Sequence, residues 1–357
     1  MAASPLDSPG TYARLDPHGL LGRIESLPEQ VDEAWSAGEA LHWPSEYRDV
    51  DRVVVLGMGG SGIGGTLLAA LAIATRTHTP IFSARGYTVP AFTDERTLVL
   101  ASSNSGNTEE TVASLEAAIR ARAKCVAITT GGRLLEMARE HRLPALTFEW
   151  EGEPRSALGW SFASLLAICC SAGLLPELSS DLREATPAMR DLRSAIGRDA
   201  PEAVNQAKQL AQRLAGRLPV ILGAEQLAPV AYRWRTQINE NAKSWALADE
   251  LPEMNHNAQE GFGLPQRIVP LLHAVFLRHA SMHPRIRTRV DATADEMRRC
   301  GVSSEIVDIA AAQPLTQMLS AIYLGDYVSY YLGLLNGVEP SPVPRLMALK
   351  EMLGSMD

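Results

Sequence analysis

From residue 52 onwards, short β-branched or apolar runs alternate with stretches whose apolar residues recur at helical spacing. Runs at 52–57, 80–83, 98–101, 125–128 and 145–148 predict strands, and the stretches at 66–74 and 109–121 predict helices. Strands that read as continuous apolar runs belong to a parallel sheet covered on both faces. The pattern then resets. Residues 157–215 read as helical, at first without charge and then mixed. A strand at 218–223 again ends in Gly, a helix follows at about 226–243, and further strands are expected at 268–272, 274–277 and 304–307. The expected fold is α/β. Two doubly wound parallel-sheet domains with helices on both faces (48–180 and 181–357) follow a short helical N-terminal extension (1–47), whose helices fall near 20–27 and 28–37.

Composition narrows this picture. With 46% hydrophobic and 21% charged residues, the 357-residue chain has apolar material for two cores. Its formal net charge of -8 offers no general attraction to nucleic acid or to an anionic membrane. An anionic ligand therefore needs a local site. The four cysteines (Cys125, Cys169, Cys170, Cys300) form no CxxC motif and no disulfide framework, which suits the cytoplasm. The N-terminal segment has no apolar core of the kind a signal peptide needs. Residues 157–176 carry no charge and are nominally long enough to span a bilayer, but their three serines, two glycines and two cysteines favour a buried helix.

Gly57-Met58-Gly59-Gly60-Ser61-Gly62-Ile63-Gly64-Gly65 follows the first strand. Formally it contains GxGxxG at Gly57, Gly59 and Gly62, so a dinucleotide site has to be weighed. Residues 76–84 provide no acidic side chain for the ribose, although Arg85 stands where an NADP 2′-phosphate could lie. The other reading is a turn whose glycines let backbone N–H groups approach a ligand, with Ser61 as a hydroxyl donor. After the strand at 98–101 comes Ser103-Asn104-Ser105-Gly106-Asn107-Thr108, directly before a helix. Three hydroxyls, a glycine and a helix N-terminus make an anion site. With no lysine present, it fits a phosphate monoester better than a nucleoside triphosphate. Asn107 with Glu110 also approximates a capping box.

Gln237-Ile238-Asn239-Glu240-Asn241-Ala242-Lys243 places two poor helix formers around a glutamate, a local conflict of the kind functional sites show. Glu240 is thus a candidate acid–base group.

Together, Gly59-Gly60-Ser61 and Ser103-x-Ser105-Gly106-x-Thr108 resemble the sugar isomerase (SIS) domain. From about residue 50 to the C-terminus the chain resembles the bifunctional phosphoglucose/phosphomannose isomerase family, built from two such domains. Pro154-Arg155-Ser156-Ala157-Leu158-Gly159, the 239–243 segment, Leu251-Pro252-Glu253-Met254-Asn255-His256-Asn257 and the 342–350 segment carry the rest of the likeness. The resemblance implies a glucose/mannose 6-phosphate to fructose 6-phosphate isomerase with no cofactor and no metal. It implies Glu240 as base, Arg155 as stabiliser of the enediolate oxygen, and His256 and Lys350 as ring-opening groups. Phosphate binding falls to Gly59, Gly60, Ser61, Ser103, Ser105 and Thr108. It further implies a homodimer in which His256 reaches the neighbouring subunit's site. A Thr is expected where Ser341 stands.

None of the eight histidines forms an HxH or HExxH cluster, and Pro284 argues against His279 and His283 sharing one helix face. Two rivals remain, a non-catalytic sugar-phosphate sensor and an NADP-dependent oxidoreductase. A sensor requires an output module, and the N-terminal extension is short and not basic.

Overall fold

The computed structural model describes residues 4–354, so residues 1–3 of the extension and 355–357 of the second expected domain lie outside the described part. Three helices open the chain: α1 (Pro9–Leu15), α2 (Leu20–Glu25) and α3 (Leu27–Glu39). Then follow β1 (Arg52–Leu56), α4 (Gly59–Ala74), β2 (Ile81–Ala84), β3 (Thr97–Ser103), α5 (Glu109–Arg120), β4 (Lys124–Thr129), α6 (Gly132–Glu140) and β5 (Ala145–Thr147). These five strands form one parallel sheet in the order β2-β1-β3-β4-β5. Val53 and Val55 face one apolar core while Val54 and Leu56 face another, which is why β1 reads as an unbroken apolar run. The order reverses between β1 and β3. That switch point opens a crevice at the carboxyl ends of the two strands, just where the glycine and Ser/Thr segments emerge.

The helical section comprises α7 (Leu158–Ser171), α8 (Ser179–Ile196) and α9 (Gln206–Leu214). After it come β6 (Leu218–Ala224), α10 (Ala228–Asn241), β7 (Leu247–Leu251), β8 (Leu272–His279), α11 (Pro284–Arg299), β9 (Ser303–Ile309), α12 (Pro314–Leu335) and α13 (Pro344–Gly354). The second sheet is parallel too, in the order β7-β6-β8-β9.

Several expectations need correction. The glycine segment is not a turn ahead of a helix starting at 66. Gly59 to Gly65 are the first turns of α4 itself. Residues 269–271 form a 3-10 turn, so the strand expected at 268–272 exists only as the start of β8. Strand β7 has no strand signature in the sequence, because it is a mostly exposed edge whose Ala248-Asp249-Glu250 centre has no apolar run. Helix α12 lacks an amphipathic stripe too; it is buried along nearly its whole length, with Asp326 as its single charged residue.

The N-terminal segment is no loose appendage. Helix α3 lies along α7 closely enough that a Cβ on Gly38 would come within 2.5 Å of the Ala167 Cβ, and one on Gly159 within 2.4 Å of the Gln30 Cβ. On another side, a Cβ on Gly64 of α4 would meet the Ser161 carbonyl oxygen at 2.4 Å. A charge-free α7 thus has protein neighbours on more than one side. Among the described residues no helix is long and apolar enough to cross a membrane.

Candidate active site

The two loops after β1 and β3 are joined to one another. The Asn104 N–H donates to Ser61 Oγ at 3.2 Å, so the first turn of α4 carries part of the Ser/Thr loop. Within that loop Ser103 Oγ and Thr108 Oγ1 lie 2.8 Å apart, the Gly106 N–H donates to Ser103 Oγ, and the Asn107 N–H donates to Ser105 Oγ. Gly106 sits at φ +69°, and a Cβ there would come within 1.8 Å of the Gly131 carbonyl oxygen; only glycine fits this position. The expected capping box does not form. Thr108 is the N-cap of α5, no side chain caps that terminus, and Asn107 Oδ1 instead accepts from the Arg133 N–H at 2.9 Å. The first-turn N–H groups and dipole end of α5 therefore stay available beside the hydroxyls.

Next to the glycines lies a cavity of about 140 Å³ lined by Gly59, Gly60, Arg85, Arg155, Gln237 and Glu240, among others. Arg155 is only 4% exposed, yet every part of its guanidinium is engaged. Its Nε donates to Asn241 Oδ1 at 2.7 Å, and its Nη2 donates to the carbonyls of Pro340 (2.9 Å) and Ser341 (2.8 Å). That leaves Nη1, which faces Glu240 Oε2 at 3.5 Å. Glu240 is 28% exposed and opens to the cavity. Gly60 makes this arrangement possible: a Cβ there would lie 2.8 Å from the Pro154 carbonyl oxygen and 2.9 Å from the Arg155 backbone nitrogen.

Behind Arg155 runs a buried polar network that sequence reasoning missed. Arg233 donates to the Arg155 carbonyl at 3.1 Å and to Asp326 Oδ2 at 2.7 Å; Gln237 donates to Asp326 Oδ1 at 3.0 Å; Asn241 donates to Ser329 Oγ at 2.9 Å. Arg233, Gln237 and Asn241 recur at four-residue spacing and so share one face of α10. That polar stripe, and the lone Asp326 in an apolar helix, were the available signals. The buried Gln237 Oε1 makes no hydrogen bond within the described protein.

Residues 203–353 match a family model described as the bacterial phospho-glucose isomerase C-terminal SIS domain. The bifunctional phosphoglucose/phosphomannose isomerase of Caldicellulosiruptor bescii is 38% identical over 336 residues, covering 93% of this chain and 98% of the relative. Its counterpart in Aquifex aeolicus is 31% identical, covering 90% of this chain and 99% of the relative. The chain belongs to the bifunctional phosphoglucose/phosphomannose isomerase family. The crystal structure of a hypothetical protein from Thermus thermophilus shares the fold, with a TM-score of 0.76 at 18% identity over 97% of this chain and 92% of that one.

Measured against the sites expected for a phosphoglucose/phosphomannose isomerase, a single chain gathers Gly59, Gly60, Arg155 and Glu240 around the cavity. Ser61, Ser103, Ser105 and Thr108 do not line it; Ser61 follows Gly60 in the first turn of α4 and bonds Asn104 of the Ser/Thr loop. His256 and Lys350 do not join them. His256 is exposed at the end of a 3-10 turn, Glu253–His256, and Lys350 is exposed on α13; neither lines the cavity. Ser341, where a Thr was expected, bonds through its hydroxyl to Glu153 and does not point into the cavity.

Proposed function

We propose that this chain is a sugar-phosphate isomerase that interconverts glucose 6-phosphate and mannose 6-phosphate with fructose 6-phosphate through a cis-enediolate. Support comes first from the Arg155–Glu240 pair, a cation and a carboxylate 3.5 Å apart at one wall of a cavity bounded by Gly59 and Gly60. In this reading the phosphate docks on the Ser103, Ser105 and Thr108 hydroxyls and the α5 N-terminus, with the glycines of α4 admitting the sugar. Glu240 takes the proton from carbon 2 of the open-chain aldose and returns it to carbon 1, the electron pair meanwhile resting on the enediolate oxygens. Arg155 is held rigid by three acceptors, so its positive charge needs no reorganisation as that oxygen becomes negative. Gln237 Oε1 is an acceptor suited to a sugar hydroxyl.

Ring opening requires acid–base groups that one chain does not bring to the cavity. We assign them to His256 and Lys350. A homodimer in the cytoplasm, with His256 supplied across the interface, accounts for the exposure of that residue in the single chain. No cofactor enters the reaction. Activity is expected to survive prolonged EDTA treatment; loss with recovery on adding zinc would overturn that point.

The deciding experiment is an assay of Glu240→Gln with glucose 6-phosphate and mannose 6-phosphate, reading fructose 6-phosphate. A positioned base contributes ~3 kcal/mol or more to transition-state stabilisation, so kcat/KM should fall at least ~100-fold for both sugars. Turnover within a few fold of wild type would remove Glu240 from the mechanism and revive the sensor reading.

A further inference from the structure

Lys243 lies one turn beyond Glu240, and neither the fold nor the proposed chemistry has yet given it a role. It follows α10 with φ at +52°, a left-handed conformation that glycine usually fills at a helix end. A lysine held there has its side chain turned back. Its Nζ donates to the backbone carbonyl of Glu240 in the last turn of α10, and to the Pro340 carbonyl at 2.8 Å. The Pro340 carbonyl is also an acceptor for Arg155 Nη2, so the two cations share one oxygen.

The segment they share is gripped from its other side. The Ser341 hydroxyl bonds Glu153, and Arg23 donates from Nε and Nη2 to the two Glu153 oxygens at 2.9 Å each. Residues 339–341 thus form a strap between α12 and α13, tied by Arg155 and Lys243 on one flank and Glu153 on the other. Two of the four acceptors that Arg155 meets, the carbonyls of Pro340 and Ser341, belong to this strap.

We propose that Lys243 is a positioning residue: by holding the Pro340 carbonyl jointly with Arg155, it fixes where the Arg155 guanidinium stands relative to the Glu240 carboxylate. The inference rests on the reading of Arg155 and Glu240 given above. It also has a pH consequence. Partial desolvation and the adjacent Arg155 charge push the Lys243 pKa down to about 8, against the opposing pull of Glu240, Glu153 and Glu339. Glu339 itself contacts His18. Lys243 is exposed overall, so its ammonium can exchange protons with solvent. As pH rises through about 8 the ammonium loses charge, its grip on Pro340 weakens, and turnover should decline.

The test compares wild type, Lys243→Met, Lys243→Arg and Glu240→Gln in isomerisation of glucose 6-phosphate from pH 6.5 to about 9.5, an interval chosen to bracket the lysine titration. Wild-type kcat should show an alkaline limb near pH 8. Lys243→Met should lower kcat about tenfold with KM within about twofold, and lack that limb. A guanidinium keeps its charge throughout this range, so Lys243→Arg should restore much of kcat and move the limb upward by about a unit or more. A wild-type limb retained in Lys243→Arg would overturn the proposal. So would wild-type kcat in Lys243→Met, or a change there in KM alone. If Lys243→Met does not fold, the limb of Lys243→Arg decides. Glu240→Gln separates the two readings. Full activity in that variant sinks the proposed mechanism, whereas its inactivity beside wild-type behaviour in both Lys243 variants sinks only the role of Lys243.

Discussion

The guanidinium of Arg155 faces the carboxylate of Glu240 at 3.5 Å, one residue supplied by each half of the chain. This is not the geometry of a pair selected for stability. The contact is longer than a charge-assisted hydrogen bond, Glu240 remains open to the cavity, and the other Arg155 donors are committed elsewhere. A buried arginine saturated on three sides and directed at a half-open carboxylate has a fixed charge to offer a third party.

Removing a phosphate donor should weaken binding more than chemistry. Thr108→Val keeps the shape of the side chain but deletes the hydroxyl that lies 2.8 Å from Ser103 Oγ. A hydrogen bond to a charged group contributes ~1.5–3 kcal/mol, so KM for fructose 6-phosphate should rise about tenfold or more while kcat changes little. An unchanged KM would place the phosphate elsewhere.

Gly60→Ala should damage activity through the backbone of Arg155. The three atoms nearest its Cβ would be backbone atoms of Pro154 and Arg155, at 2.8–2.9 Å, and these cannot rotate away. Overpacking of this kind costs ~1–3 kcal/mol of stability, and the displaced Arg155 should lower kcat as well. Gly22→Ala is the control, because a Cβ at Gly22 has nothing within 4 Å. Equal melting temperatures and equal turnover in the two variants would contradict this account.

Complementation tests whether the site is shared between subunits. Glu240→Gln and His256→Ala are each expected to be inactive alone. After mixing, unfolding and refolding together, random pairing puts one intact site in half of the dimers, so about a quarter of wild-type activity should return. No recovery, with dimers demonstrated by light scattering, would mean that His256 serves its own chain or none.

The Glu153 cluster should show itself in acid. Burial acts to raise the Glu153 pKa, but hydrogen bonds from Arg23 and Ser341 outweigh it and hold the carboxyl below its usual value. Its stabilising contribution is therefore present above the unfolded-state value near 4.5 and is lost as pH falls through the lower folded-state value. In Arg23→Ala the burial effect is left less opposed and the folded-state value moves up toward the unfolded one, so the variant should start less stable near neutral pH and lose less stability than wild type as pH falls below about 4.5. Parallel melting-temperature profiles would show that Arg23 does not hold Glu153 ionised.

Much of this protein was legible in its residues. Continuous apolar strands dictated a two-faced parallel sheet because β1 side chains enter separate cores on both sides. Hydroxyls at Ser103, Ser105 and Thr108 ahead of a helix, and glycines after the preceding strand, singled out the two segments that the Asn104–Ser61 bond joins, because their chemistry is local. The periodicity of residues 157–215 likewise identified helices without placing them. Tertiary structure decided the rest. Strand β7 and helix α12 carry weak or misleading local patterns and take their identity from neighbours. The glycines that sequence reasoning assigned to a turn belong to α4, and Gly60 proves necessary for a contact with Arg155 that no spacing rule reveals. The Arg155–Glu240 pairing, the Arg233–Asp326 network behind it and the hold of Lys243 on Pro340 all join residues far apart in the chain. Such contacts depend on how helices from both halves converge, and local periodicity carries no information about that distance.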